Sequence, residues 1–316
     1  MRSEILIQHD GTLYYPPIAD GVDVEWDRKG QPGKMTFEVI KTDALKFDEG
    51  DACRFNVDDD SFFFGFVFDK SRQGSEKDKI KVTVYDQLFY LRNKDYFLYS
   101  DKTATEVIRC LAADFGMQTG DLENTGFRLP GRAEDNQTLF DIIQNALDDT
   151  LKATGKLYVL YDKSGRLTLT ECGKMKIPLL IDESTAADYD YKTSISDSYN
   201  KIRLQREGET PVIVKDSEKI RQWGVLQYVE SVTNTDVNLQ NMAKTLLTLY
   251  GEKKKMLSVK KALGSIHVRA GSLLVVRLDL GDDTISNYLL VEQVKHSFRE
   301  NEHFMDLKLR GNGFVT

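Results

Sequence analysis

The first hundred residues alternate between short apolar runs and polar breaks. The runs are EILIQ, VDVEW, MTFEVI, ACRFNV, FFFGFVF and IKVTVYDQLFYL, and the breaks are RKGQPGK, DEGD, DDDS and SRQGSEKDK. Runs of this length between turn residues predict the strands of a small barrel or sandwich. In FFFGFVF, simple alternation puts Phe62, Phe64, Phe66 and Phe68 on one face and Phe63, Gly65 and Val67 on the other. Both faces are apolar, so this strand is expected to be covered on both sides, with Gly65 admitting another backbone or a helix at close range.

The period then changes. Ala104, Val107, Ile108, Leu111 and Phe115 recur at three- and four-residue spacing, which predicts an amphipathic helix with a Thr103/Glu106 capping box and Gly116 at its end. A second stripe, Leu139, Ile142, Ile143, Ala146, Leu147 and Leu151, closes at Gly155. KLYVLYDKSGRLTLTE follows as a hairpin about a Lys-Ser-Gly turn. After about residue 191 strands return (NKIRLQRE, TPVIVK, VLQYVESV), interrupted by a helix with Leu239, Met242, Ala243, Leu246, Leu247 and Tyr250 on one face and Thr235 or Asp236 as its cap. The pattern divides the chain into a β domain over 1–95, an α+β domain over 96–190 and a β domain with one long helix over 191–316.

The two outer regions resemble each other. EGDACRFNV-DDDS-FFFGFVFDKSR is followed by a polar gap and KIKVTVYD, while AGSLLVVRLDL-GDDTISN-YLLVEQVKHSFR is followed by a polar gap and HFMDLKLRG. Gly50 answers to Gly271, Asp58 and Asp59 to Asp282 and Asp283, and Ser71 to Ser297. A three-strand meander repeated in the same order points to a duplicated architecture.

Charge separates the parts. Residues 1–100 carry 14 basic and 19 acidic groups, residues 101–198 carry 11 and 17, and the remainder 18 and 14, so a positive C-terminal part follows two negative ones. Different neighbours are expected for it. No apolar run approaches the ~20 residues of a membrane span. The opening MRSEILIQHDG has no uninterrupted apolar core, so synthesis and first folding in a cytoplasm are expected.

Candidate chemistry is sparse. Cys53, Cys110 and Cys172 are too far apart for a disulfide framework and read as small apolar residues. The four histidines form no metal-binding spacing. Asp58, Asp59, Asp282 and Asp283 read as hairpin turns, because consecutive aspartates cannot converge on one ion as a calcium loop requires. Glu171, Asp182 and Glu183 are the carboxylates that a cell-wall hydrolase would use. Lys253, Lys254, Lys255, Lys260 and Lys261 of GEKKKMLSVKK are the basic run that a carbohydrate- or nucleic-acid-binding module would use, although no aromatic residues interleave with them. A solvated helix end, or contact with an acidic partner, also accounts for the lysines.

PGKMTFEVI, FFFGFVFD, TATEVIRCLAADFGM, NQTLFDIIQNAL with YVLYDKSGRLTL, and SYNKIRLQ, IRQWGVLQ and RAGSLLVV succeed one another across most of the chain. In this order they resemble the XkdQ/YqbQ-type tail hub proteins of PBSX-like prophages, contractile phage tails and phage-tail-like bacteriocins. These are related to late-control D proteins and to the N-terminal part of type VI spike proteins. Trp223 departs from the Tyr expected before the Gly of its segment. The resemblance implies a mainly β fold, with two tail-tube-like β-barrels flanking the small α+β domain. It implies a non-enzymatic virion protein, without cofactor, at the baseplate centre. The implied homotrimer lies between a sixfold tail tube or tube initiator and a threefold spike. Other implied neighbours are baseplate proteins, a LysM-containing tail protein and a tape-measure protein, with no membrane or specific nucleic-acid binding. An acidic lumen that repels phosphate is also implied.

Overall fold

The computed structural model describes residues 1–75, 78–279, 281 and 284–311. The alternating N-terminal third forms β1 (Ser3–His9), β2 (Thr12–Tyr14), β3 (Ile18–Asp27), β4 (Lys34–Ile40), β5 (Ala52–Val57), β6 (Asp60–Ser71) and β7 (Lys79–Tyr85). These pair antiparallel in the order β3-β4-β7-β6-β5-β1-β2. Every second residue turns inward, so Val22, Val24 and Trp26 of β3 meet Met35, Phe37 and Val39 of β4 in a common core.

β6 departs from simple alternation. Phe55 opposes Phe63, yet its neighbour Asn56 opposes Ser61, which leaves Phe62 as the extra residue of a bulge. The bulge sends Phe62 to the core, edge-on to Trp26, Phe55 and Phe298, away from Phe64, Phe66 and Phe68. On the opposite face, Phe66 meets Tyr90 and Phe68 meets Phe89, both on a short 3-10 helix over Gln87–Arg92. Both faces are therefore covered, as expected. The backbone admitted by Gly65 is that of β7, since a Cβ at Gly65 would lie 2.3 Å from the Tyr85 carbonyl oxygen.

The middle region comprises β8 (Lys94–Tyr99), α1 (Ala104–Asp114), β9 (Thr119–Leu122), β10 (Arg132–Thr138), α2 (Leu139–Thr154), β11 (Tyr158–Asp162) and β12 (Leu167–Glu171). The capping box forms: Glu106 N–H donates to Thr103 Oγ1 at 3.2 Å, and Thr103 N–H to Glu106 Oε2 at 2.7 Å. The α1 and α2 stripes close on Leu167 and Leu169 in a second core. The β11–β12 turn reaches back to β6, where Ser164 Oγ donates to the Ser61 carbonyl at 2.8 Å. Gly165, at φ 87°, packs on Phe64 so closely that a Cβ would sit 2.7 Å from the ring.

β13 (Lys176–Ile181) and β14 (Asp188–Ser194) return to the large sheet. A small sheet of β15 (Lys201–Gln205), β16 (Val212–Lys215) and β17 (Gln227–Ser231) follows, with α3 (Ser217–Trp223) and α4 (Leu239–Tyr250). Ile202, Leu204, Met242, Ala243 and Leu246 give this unit its own core. Asn238 caps α4, accepting from Asn241 N–H at 2.9 Å, in place of Thr235 or Asp236. β18 (Lys254–Leu263), β19 (Leu273–Asp279), β20 (Thr284–Arg299) and β21 (Glu302–Gly311) complete the fold.

The C-terminal strands pair in the order β14-β18-β21-β20-β19-β13. With the short edge strand β2 set aside, and the strands of each array numbered by appearance, both arrays read second, third, sixth, fifth, fourth, first. The first strand runs antiparallel to its neighbour in the N-terminal array and parallel in the C-terminal one. Two separate closed barrels, as expected from sequence, do not form. The arrays join in one 13-stranded sheet with a shared core. The cause is the length of β20: its first half pairs with β19, and its second half, Gln293–Phe298, continues past β19 to pair with Asp27–Val22 of β3.

Candidate interaction surfaces

The duplicated arrays match atom for atom at one place. Gly50 N–H donates to the Val67 carbonyl at 2.7 Å, and Val67 N–H to the Asp51 carbonyl at 2.9 Å. Gly271 N–H donates to the Val291 carbonyl at 2.8 Å, and Val291 N–H to the Ser272 carbonyl at 2.8 Å. Both glycines are left-handed, φ 97° and 94°, a conformation that costs glycine little and other residues more. Each ladder is then interrupted by a bulge just after the valine, at Phe68 and at Glu292. Gly50 and Gly271 thus correspond as the sequence suggests. With Val67 aligned on Val291 through the shared bulge, the counterpart of Ser71 in the second array is Lys295, not Ser297.

The seam between arrays is built on that second bulge. Glu292 ion-pairs with Arg28 Nε at 2.7 Å and with Arg310 Nε at 2.6 Å, and Arg28 N–H donates to the Glu292 carbonyl at 2.9 Å. Burial acts to raise the Glu292 carboxyl, but the Arg28 and Arg310 charges outweigh it and hold the group below its ordinary range. Further along the seam, His296 and His303 stand among Trp26, Phe62 and Phe298, with the Phe298 and His303 rings stacked at 4.1 Å.

A third contact ties all regions together. Arg269, preceding β19, stacks on Tyr161 at 3.9 Å and Trp26 at 5.4 Å and donates to the Asp162 carbonyl at 2.7 Å. Asp86 accepts from the N–H groups of Gly33 and Leu88, both at 3.0 Å, while Asp162 accepts from Gln87 at 2.8 Å and Gly165 N–H at 2.7 Å. Burial, and secondly the Asp162 charge, pushes Asp86 well above the ordinary carboxylate range. These carboxylates are enclosed by backbone donors from three parts of the chain, an arrangement that fixes one geometry.

Asp58 lies in the β5–β6 turn at φ 52°, and its Oδ1 accepts from Arg2 N–H at 2.8 Å, while Asp59 completes the turn. Asp282 and Asp283 lie outside the described residues. Lys253 precedes β18, and Lys254 and Lys255 open it; Lys254 pairs with Asp197 at 2.9 Å, and Lys255 stands between Thr193 of β14 and Gly311 of β21. The structure does not gather Glu171, Asp182 and Glu183 into one site. Glu171 pairs with Lys156 at 3.4 Å, and Glu183 accepts from Asp279 N–H at 3.0 Å. Asp182 accepts from Ser184 Oγ at 2.6 Å, and hydrogen bonds to Ser184 and Thr185 hold it below the usual carboxylate range. Cys53 and Cys172 are buried thiols, and burial pushes Cys172 up to about 11. Among the described residues, no group of three or more His, Cys, Asp or Glu side chains is placed to hold a metal ion, and no helix is long and apolar enough to cross a membrane.

Sequence reasoning missed the exposed apolar positions. Tyr96 and Leu98 on β8 are 75% and 78% exposed. On the outer face of the small sheet, Ile213, Arg203 and Val229 stand in one row across three strands. Period-two alternation in LQRE, TPVIVK and QYVES was the available signal, but it does not say which face α4 covers.

The phage-like element PBSX protein XkdQ of Bacillus subtilis (strain 168) is 29% identical to this chain over 303 residues, covering 92% of this chain and 91% of its own. The tail protein from Neisseria meningitidis MC58 shares the fold with a TM-score of 0.72 at 13% identity, covering 100% of this chain and 98% of its own. The E. coli c3393 protein, a component of the type VI secretion system similar to T4 tail proteins gp27 and gp5, aligns with a TM-score of 0.57 at 11% identity, covering 99% and 77%. A family model described as YQBQ-like matches residues 22–310. That span takes in the C-terminal array, the middle region, the seam and the N-terminal array apart from β1, β2 and the start of β3, and the chain belongs to the YQBQ-like family.

Proposed function

We propose that this chain is a structural protein of a phage-type tail baseplate, a hub that adapts a sixfold tail tube to a threefold spike. The single observation that carries the reading is the duplicated array. A trimer meets a sixfold ring by rotational symmetry only if each chain offers two similar faces, and two arrays of one strand order supply them. In this reading residues 1–95 carry one tube-like face and residues 191–316, joined by β13 and β14, carry the other, the rest of residues 96–190 widens the ring, and the acidic first two regions face a lumen that repels phosphate. The relatives support the reading: XkdQ belongs to a phage-like element, the Neisseria protein is a tail protein, and the E. coli protein is a type VI secretion component structurally similar to phage tail proteins. The proposed partners are the tube protein or tube initiator above, the spike below, and baseplate, LysM-containing and tape-measure proteins around them. Assembly takes place in the host cytoplasm and leaves the protein in the particle tail. The Asp58–Asp59 hairpin serves as a turn, and Lys253, Lys254 and Lys255 meet an acidic partner.

Native mass spectrometry of the chain mixed with the tube and spike proteins of its own particle tests this. Three copies per spike trimer are expected. A monomer under every mixing condition overturns the hub.

A further inference from the structure

The N-terminal array is open between β1 and β3, and a cleft of about 640 Å³ fills the opening. That lies within the ~300–1,000 Å³ of ordinary binding clefts. Ile5, Val22, Phe55 and Phe298 line it, with Tyr15 and Pro16 at one end and Asp20, Glu300 and Glu302 at its rim.

The edges of the cleft are strand edges. β1 pairs with β5 on one side over Ser3–Gln8, but on the other side with β2 only over Ile7–His9. Arg2 directs its carbonyl toward β5, accepting from Asp58 N–H at 2.6 Å. Alternation along the strand therefore turns the backbone groups of Ser3 and Ile5 away from β5 and into the cleft. Across from them, Ile18–Gly21 of β3 lies beyond the stretch that β20 covers. β2 already shows how this edge is used. Thr12–Tyr14 lies on it as a short strand, until Tyr15-Pro16-Pro17 carries the chain off, and proline has no N–H to extend a ladder. The remaining four residues of edge span roughly 13 Å.

Charge narrows the occupant. Arg299 is held by Asp23 at 2.7 Å and by the Val22 and Phe298 carbonyls. Asp20 and Glu4 have Lys79 and Arg2. Glu300 and Glu302 make no ion pair among the described residues, so the rim is left negative.

We propose that this cleft binds an extended peptide segment of another protein, with apolar residues alternating with lysine or arginine. The segment continues the line of β2 along β1, pairs with Ser3 and Ile5 through its backbone, seats its apolar side chains on Phe55 and Phe298, and presents its basic ones to Glu300 and Glu302. This site does not depend on the hub reading, which places the arrays without requiring any strand to enter them.

The probe is fluorescein-labelled Lys-Val-Lys-Val-Lys-Val amide, titrated with the full chain and read by anisotropy. Saturable binding is expected, weakened about fivefold to tenfold when the peptide backbone is N-methylated along one edge. Ser3→Pro, which removes one edge N–H at the start of the strand, gives a similar loss at unchanged Tm. Glu300→Lys with Glu302→Lys moves the preference to the Glu-Val counterpart of the peptide. Absence of saturable binding by the unmodified chain overturns the proposal. So does binding indifferent to N-methylation, which is charge attraction alone, and so does self-association of the chain that the peptide displaces, which makes a second copy the occupant.

Discussion

His303 donates a hydrogen bond to His296 in the seam between the two arrays, Nε2 to Nδ1, at 2.8 Å. Its direction is fixed by a third group: His296 Nε2 lies 3.0 Å from the Val268 carbonyl, which only accepts, so Nε2 carries the proton and Nδ1 receives. The direction holds because burial keeps both rings neutral near pH 7, so that His296 carries one proton only. Burial drives His296 well below the ordinary histidine range and His303 down to about 4.

That pair predicts an acid-sensitive seam. Below the unfolded-state value of ~6.5, unfolded histidines take up protons that the folded ones refuse, so stability falls as pH falls from about 6.5 to 4. His303 contributes up to about 3 kcal/mol of this loss at pH 4. Asp86 and Asp162, raised by burial, act in the opposite sense, since the folded carboxylates take up protons before the unfolded ones do. The comparison is therefore between the wild type and His303→Gln, which keeps a donor for His296. Denaturant titrations at pH 7 and 4 should show the wild type losing more stability than the variant; equal losses refute the assignment.

Glu292 predicts a charge-dependent seam. Glu292→Gln leaves Arg28 and Arg310 facing each other with no counter-charge. A fully buried pair broken in this way loses ~3–5 kcal/mol. The Glu292 side chain is 28% exposed, so about 2–3 kcal/mol is expected. Chemical denaturation measures it, and a change below about 1 kcal/mol, the surface-pair range, contradicts a structural role.

Close packing between β6 and β7 predicts the cost of one methyl group. Gly65→Ala would put a Cβ 2.3 Å from the Tyr85 carbonyl oxygen. The strands must part, at ~1–3 kcal/mol. Gly30→Ala, which meets nothing within 4 Å, separates crowding from backbone strain at its φ of 75°. Thermal melts should rank Gly65→Ala well below the wild type.

The lysine run predicts salt-sensitive assembly without a folding defect. Changing Lys253, Lys254 and Lys255 to Gln removes the partly exposed pair of Lys254 with Asp197, worth at most about 1 kcal/mol. Under the hub reading, co-sedimentation with tail partners should weaken at moderate salt while Tm changes little. Unchanged assembly removes the partner-contact role.

What was legible in the sequence was local. The Thr103/Glu106 box, the left-handed Gly116 and Gly155, and the Lys-Ser-Gly turn each depend on residues within a few positions, and each forms. Gly50 and Gly271 carried the repeat because a positive φ before a strand leaves a glycine behind. The joined sheet left no such trace. Pairing of β20 with β3 spans some 270 residues, and nothing in VEQVKHSF says that the strand outruns β19. The displaced Phe62 was equally hidden, since a bulge shifts the period by one residue without changing composition. The seam was missed for the same reason: Arg28, Glu292 and Arg310 meet only after the arrays join.

The central claim is that both arrays of each chain serve as equivalent faces toward a sixfold tube. Electron cryomicroscopy of the particle at the tube–hub joint tests it most directly. The account predicts three chains in a ring, with the β5–β7 array and the β19–β21 array each beneath one of six tube subunits. Six chains in the ring, or tube contact through one array only, would contradict it.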